Sequence, residues 1–127
     1  MRKSSLRVLV PLLFVTLFVS YLADAEEDKK YTSREAVYHV GETATVCGVV
    51  ASTKWATRSK GQPTFLNLDE PYPNQVFTIL IWGSDRPAFG SPEILYANKR
   101  ICATGKIKGY RGKAEIIAKN PKQIKVE

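Results

Sequence analysis

At 127 residues, the chain has room for one compact domain with a modest core, and that length excludes a second. Its formal net charge of +7 at pH 7 points equally to a polyanionic partner and to a solvated lysine face. The charge is uneven: residues 99–127 hold nine Lys or Arg against Glu115 and Glu127, whereas residues 26–98 hold seven against nine acids.

The chain opens with Arg2, Lys3 and Arg7, runs through an apolar stretch from Val8 to Leu22 and reaches Ala23-Asp24-Ala25, a small-x-small cleavage pattern. Residues 1–25 are therefore expected to be a signal peptide. The apolar run is shorter than the ~20 residues a spanning helix needs and contains Pro11, so no membrane span is expected after cleavage. Residues 26–42 then form a charged start and a short helix over 32–40. Thr32 and Glu35 stand at capping-box spacing, and Gly41 is the stop. The helix is expected to plug one end of the following domain, residues 43–127.

Residues 43–52, rich in Val and Thr around Gly48, predict a first strand that coils strongly. Residues 53–63 read as a long connection around Trp55. Residues 64–68 predict a second strand with Leu66 and Leu68 inward and Phe65 and Asn67 outward. Asp69-Glu70-Pro71-Tyr72-Pro73-Asn74 is a turn. Residues 75–82 predict a third strand, with Phe77, Ile79 and Ile81 inward and Trp82 outward. Ser91-Pro92-Glu93 carries an N-cap and a first-turn proline that open a short helix through Ala97. Residues 99–108 and 113–119 predict the last two strands, joined by Gly109-Tyr110-Arg111-Gly112.

Taken in order, Cys47-Gly48-Val49-Val50, Phe65-Leu66-Asn67-Leu68-Asp69, Ile79-Leu80-Ile81-Trp82-Gly83, Ala103-Thr104-Gly105-Lys106-Ile107 and residues 112–117 resemble the OB-fold nucleic-acid-binding domains. The resemblance implies an all-β, five-stranded Greek-key barrel with a short N-terminal helix and a short helix between strands three and four. The tryptophan-glycine run and the aromatic hairpin are similar to those of the single-strand-binding modules of replication protein A, which stack bases on a tryptophan and a phenylalanine. Trp82 and Tyr110 match those positions. Small exported bacterial OB-fold proteins share the layout. First and fourth strands are neighbours in such a barrel. With Val46 and Val50 inward in one, and Ile101 and Ala103 inward in the other, Cys47 and Cys102 both face outward. A Cys47–Cys102 bridge follows, as suits the oxidising compartment of a secreted or periplasmic protein.

Binding to an unstructured strand needs flat π faces and cations along the phosphates. Trp55 stands with Lys54, Arg58 and Lys60 in the first long connection; Tyr110 stands with Lys108, Arg111 and Lys113 in the last; Phe65, Trp82 and Arg86 are placed between. These eleven residues are the expected interface for single-stranded DNA or RNA, read with little sequence preference. Trp55 has a second reading as a lid on the barrel, Trp82 one as a barrel-end core residue, and the lysines one as a solvated face. The alternative function is an envelope interaction module that takes an oligosaccharide, peptide or partner protein on the same face. No enzyme activity, cofactor or metal is expected: His39 lacks metal-ligand spacing, and Asp69-Glu70 before Pro71 reads as turn chemistry. An accessory or degenerate nuclease is the weak catalytic alternative.

Overall fold

The computed structural model describes residues 29–127; the expected signal peptide and the first charged residues after it lie outside them. Seven strands follow in chain order: β1 (Lys30–Thr32), β2 (Thr43–Trp55), β3 (Thr64–Leu68), β4 (Phe77–Ile81), β5 (Arg100–Tyr110), β6 (Lys113–Ile117) and β7 (Ile124–Val126). Five of them close on themselves in the order β2-β3-β4-β6-β5 and back to β2, with β4 and β6 parallel and the other ring pairs antiparallel. This is an all-β closed five-stranded barrel, and its strand order is consistent with an OB fold.

Closure depends on the two long strands. The first half of β2, Thr43 to Val49, pairs with β5, and the second half, Val50 to Trp55, pairs with β3 across a register shift between Val50 and Ser52. An irregularity of this kind bends a strand and increases its twist, which lets one strand serve both sides of the barrel. In the same way β5 pairs with β2 up to Lys106 and with β6 from Ile107 onward. The inward rows follow the expected alternation: Val46, Val50, Leu66, Leu68, Phe77, Ile79, Ile81, Ile101, Ala103, Ile107 and Ile116 are fully buried.

The disulfide is present. Cys47 and Cys102 are opposed residues of the β2–β5 ladder, with Cα atoms 4.0 Å apart. Beside it, the Asp69 carboxylate accepts from the Val49 N–H at 2.9 Å and from the Ser33 hydroxyl. A Cβ on Gly48 would stand 2.6 Å from Asp69 Oδ2, so glycine is required there for close approach as well as for strand curvature.

Several local expectations are corrected. Thr32 and Glu35 do exchange capping-box bonds, the Thr32 N–H to Glu35 Oε1 at 3.1 Å and the Glu35 N–H to Thr32 Oγ1 at 3.2 Å. They close a turn before a single 3₁₀ turn at Ala36–His39, not a helix over 32–40. The run Val37, Tyr38, His39 and Val40 has weak helix propensity, so the cap has nothing to propagate. Ala36 is fully buried in the core, whereas the His39 ring stacks on Tyr31 at 3.7 Å and its Nδ1 lies 2.5 Å from Glu42 Oε2. Hydrogen bonds from Lys29, His39 and Tyr31 hold the Glu42 carboxyl down at about 2.

Between β4 and β5 the helix α1 spans only Pro92–Leu95. The Ser91 carbonyl, not its side chain, accepts the first bonds, from Ile94 and Leu95. The strands β1 and β7, which flank β2 and β5, are not anticipated by the sequence reading; three residues each carry too little alternation to register.

Candidate functional site

The outward face of β2, β3, β4 and β6 carries side chains in rows set by the ladder register. Ser52, Asn67, Thr78, Glu115 and Lys108 lie opposite one another in sequence across β2, β3, β4, β6 and β5. The next row is Lys54, Phe65, Leu80 and Ile117. In the polar row, Thr78 Oγ1 donates to Asn67 Oδ1 at 2.9 Å, and Asn67 Nδ2 donates to Ser52 Oγ at 3.0 Å. The Ser52 hydroxyl also accepts the Tyr72 N–H at 2.9 Å. This chain fixes a rigid polar floor and ties the β3–β4 connection to it.

Above that floor is a groove of about 600 Å³. Phe65, Tyr72 and Tyr110 supply aromatic walls, and Lys54, Arg111 and Lys113 supply the cations. Tyr72 and Tyr110 are 72% and 57% exposed and so reachable from solvent. Tyr110 ends β5, and the two-residue turn Arg111-Gly112 returns the chain to Lys113. Both turn residues have positive φ, 49° and 77°, the conformation a tight hairpin requires and glycine supplies. The Arg111 guanidinium lies 5.3 Å from the centre of the Tyr110 ring, within cation–π range. Lys113 Nζ donates to the Pro73 carbonyl at 2.7 Å, holding the hairpin against the β3–β4 connection.

One acid lines this groove. Glu115 has its carboxyl pushed up by burial, with Lys108 across the β5–β6 ladder acting in the opposite direction. Its charge opposes that of the surrounding cations.

Of the eleven expected interface residues, the groove brings together Lys54, Phe65, Tyr110, Arg111 and Lys113, with Lys108 opposite Glu115 at the β5 end of the polar row. Trp55 and Arg86 stand apart from it. The Arg86 guanidinium stacks 3.4 Å from the Trp55 ring centre and pairs with Glu93 Oε1 at 2.6 Å. Glu93's backbone carbonyl in turn accepts from Thr53 Oγ1 at 2.9 Å. Trp55 shares the ladder phase of Thr53 and is 38% exposed, and Arg86 is already engaged by it and by Glu93. Trp82 packs instead on the loop before β3. A Cβ on Gly61 would meet the Trp82 ring at 3.0 Å, and the Gly83 N–H donates to the Gly61 carbonyl at 2.9 Å. Neither Trp82 nor Arg58 and Lys60 line the groove.

Tyr72, Asn67, Thr78, Ser52, Gln75 and Glu115 are among the lining residues that the sequence reading did not single out as a site. The outward phase of Asn67 was its signal. Tyr72 gave none beyond its place between two prolines.

Among the described residues no helix is long and apolar enough to cross a membrane. The metal-compatible trio among them, Cys47, Cys102 and Glu127, has both sulfurs committed to the disulfide.

No family model and no curated protein matches the chain. Among solved structures, a similar chain is the "putative aspartyl-tRNA synthetase from Leishmania major Friedlin", at 13% identity and a TM-score of 0.48. The match covers 80% of this chain and 21% of that one. A likeness this distant carries no argument about the site, and the barrel rests on its own strand pairings. What fold and site together define is a β-barrel protein with an aromatic, basic groove on one face.

Proposed function

We propose that this protein binds single-stranded nucleic acid in the groove bounded by Phe65, Tyr72 and Tyr110, with little sequence preference. The observation that carries the reading is the convergence of three aromatic side chains with Lys54, Arg111 and Lys113 on one rigid polar floor. Exposed rings offer faces to bases, and the cations offer partners to phosphates. A sugar or neutral peptide would use the rings and leave three cations against one acid without purpose.

Binding rather than catalysis is part of the proposal. Asp69 is occupied by Ser33 and the Val49 N–H, Glu70 pairs with Arg34 at 3.2 Å, and His39 is engaged by Tyr31 and Glu42. Export to an oxidising compartment is proposed as well, supported by the signal-like residues 1–25 and the Cys47–Cys102 bridge.

The test is fluorescence anisotropy of a labelled, unstructured oligonucleotide titrated with the oxidised protein at two salt concentrations. Saturable binding that weakens with salt is expected. Tight binding of a neutral oligosaccharide, insensitive to salt, with none of the oligonucleotide would move the function to the envelope module.

A further inference from the structure

A second groove, about 490 Å³, opens beside the first. The two share Pro73, Gln75 and Lys113, and the 2.7 Å bond from Lys113 Nζ to the Pro73 carbonyl forms the waist between them. Arg34, Val37 and Tyr38, from the 3₁₀ turn at Ala36–His39 and the residues leading into it, line the far side. The Tyr38 N–H holds the turn by donating to the Glu35 carbonyl at 3.0 Å, and the residue is 85% exposed. No acid lines this second groove.

We propose that it is a second subsite for the same polynucleotide: a strand seated between Phe65 and Tyr110 continues over the Lys113 waist, stacks a base on Tyr38 and sets a phosphate against Arg34. The proposal rests on the single-strand-binding reading of the first groove. Three observations support it. Arg34 is held by Glu70 at 3.2 Å through one nitrogen, in an exposed pair. Such a pair is weak, and a guanidinium with five N–H donors keeps others for a phosphate. Arg34 and Lys113 line the groove and no acid does, Glu70 meeting Arg34 from outside the lining, a balance that suits a polyanion.

The third observation lies at the waist. Gln75 is 8% exposed, and its Oε1 has no hydrogen-bond partner among the described residues. Buried carbonyl oxygens are normally paired, and an exception calls for an explanation. The terminal torsion of a glutamine is soft, so a small rotation presents that oxygen to the imino or amino N–H of a base crossing between the grooves.

The experiment compares labelled oligonucleotides of about 4 and about 12 nucleotides, within the span an OB-type barrel accommodates, on wild type, Tyr38→Ala and Arg34→Gln. Tyr38→Ala is expected to weaken the longer strand about tenfold, as loss of one stacked base does, and to leave the shorter one unchanged. Arg34→Gln is expected to flatten the salt dependence of the longer strand by about 0.7 in log–log slope. If both variants bind both lengths as wild type does, the second subsite is overturned and the first groove stands. If wild type binds neither length, the first groove fails and the extension falls with it.

Discussion

On the proposed single-strand-binding reading, Tyr110 and Phe65 are where a base would gain most, because each offers a ring beside a cation on a hydrogen-bonded floor. Stacking of one base is worth about 1–3 kcal/mol by alanine substitution. Phe65→Ala and Tyr110→Ala are therefore each expected to weaken oligonucleotide binding by that amount, measured by anisotropy at fixed salt. Trp82→Ala is the contrast: its ring packs on Gly61, outside the groove, and its removal is expected to leave affinity unchanged. Glu115 acts in the opposite sense. Its carboxyl is raised by burial, so ionised Glu115 opposes folding above its folded pKa, and that penalty is lost as pH falls below the ordinary value of about 4.3. If phosphates occupy the groove as proposed, its negative charge repels them. As pH falls from neutral through the raised value, the charge disappears, and binding is then expected to strengthen. Glu115→Gln is expected to tighten binding at pH 7 by about fivefold, the worth of ~1 kcal/mol of repulsion in a hydrated groove, and to flatten the pH profile. An unchanged profile would show that Glu115 does not face the ligand.

At the scale of elements, the barrel depends on β2 and β5 holding their mutual register while each bends to a second partner. The Cys47–Cys102 bridge joins them across 55 residues of sequence. On the chain-entropy account, a loop of that length stabilises the fold by about 4 kcal/mol. The double variant Cys47→Ala/Cys102→Ala is expected to lose that much, read from urea unfolding, and wild type under reducing conditions to follow it. Equal unfolding midpoints would show that the bridge adds nothing to the fold. Both cysteines and the inward rows were legible because alternation with period two needs no partner to be read: Phe77, Ile79 and Ile81 announce their face, and Phe65 and Asn67 the other. Helix extents were not, since a capping box at Thr32 and Glu35 marks a start without fixing a length. The site was legible only in part. Tyr110, Arg111 and Lys113 sit on a hairpin whose turn chemistry is local, so sequence places them together. Trp55 looked equally available, but its position is decided by Arg86 and Glu93, which arrive from the connection between β4 and β5. Tyr72 was hidden for the same reason: it becomes a wall only when Ser52 captures its N–H.

Across the whole molecule, positive charge is concentrated in residues 99–127, but the fold disperses it. Of those cations Arg111 and Lys113 line the groove, Lys108 lies beside it, and Arg100 pairs with Glu127 at 2.7 Å on the opposite side of β5's length. Lys54, from the part of the chain whose acids outnumber its bases, joins the groove instead. Net charge therefore overstates what a ligand meets. Counterion release counts only phosphates that are neutralised, with a slope of about −0.7 per contact for a single strand. Three lining cations give an expected slope of about −2 in log affinity against log salt for a short strand. A longer strand that also reaches Arg34 is expected to approach about −3. Aromatic variants should displace the line without tilting it, because stacking releases no counterions, whereas Lys54→Ala should tilt it by about 0.7. A slope near zero would mean that the cations are not phosphate contacts. A slope far steeper than −3 would mean that the dispersed lysines bind the strand non-specifically and that the groove does not select its path.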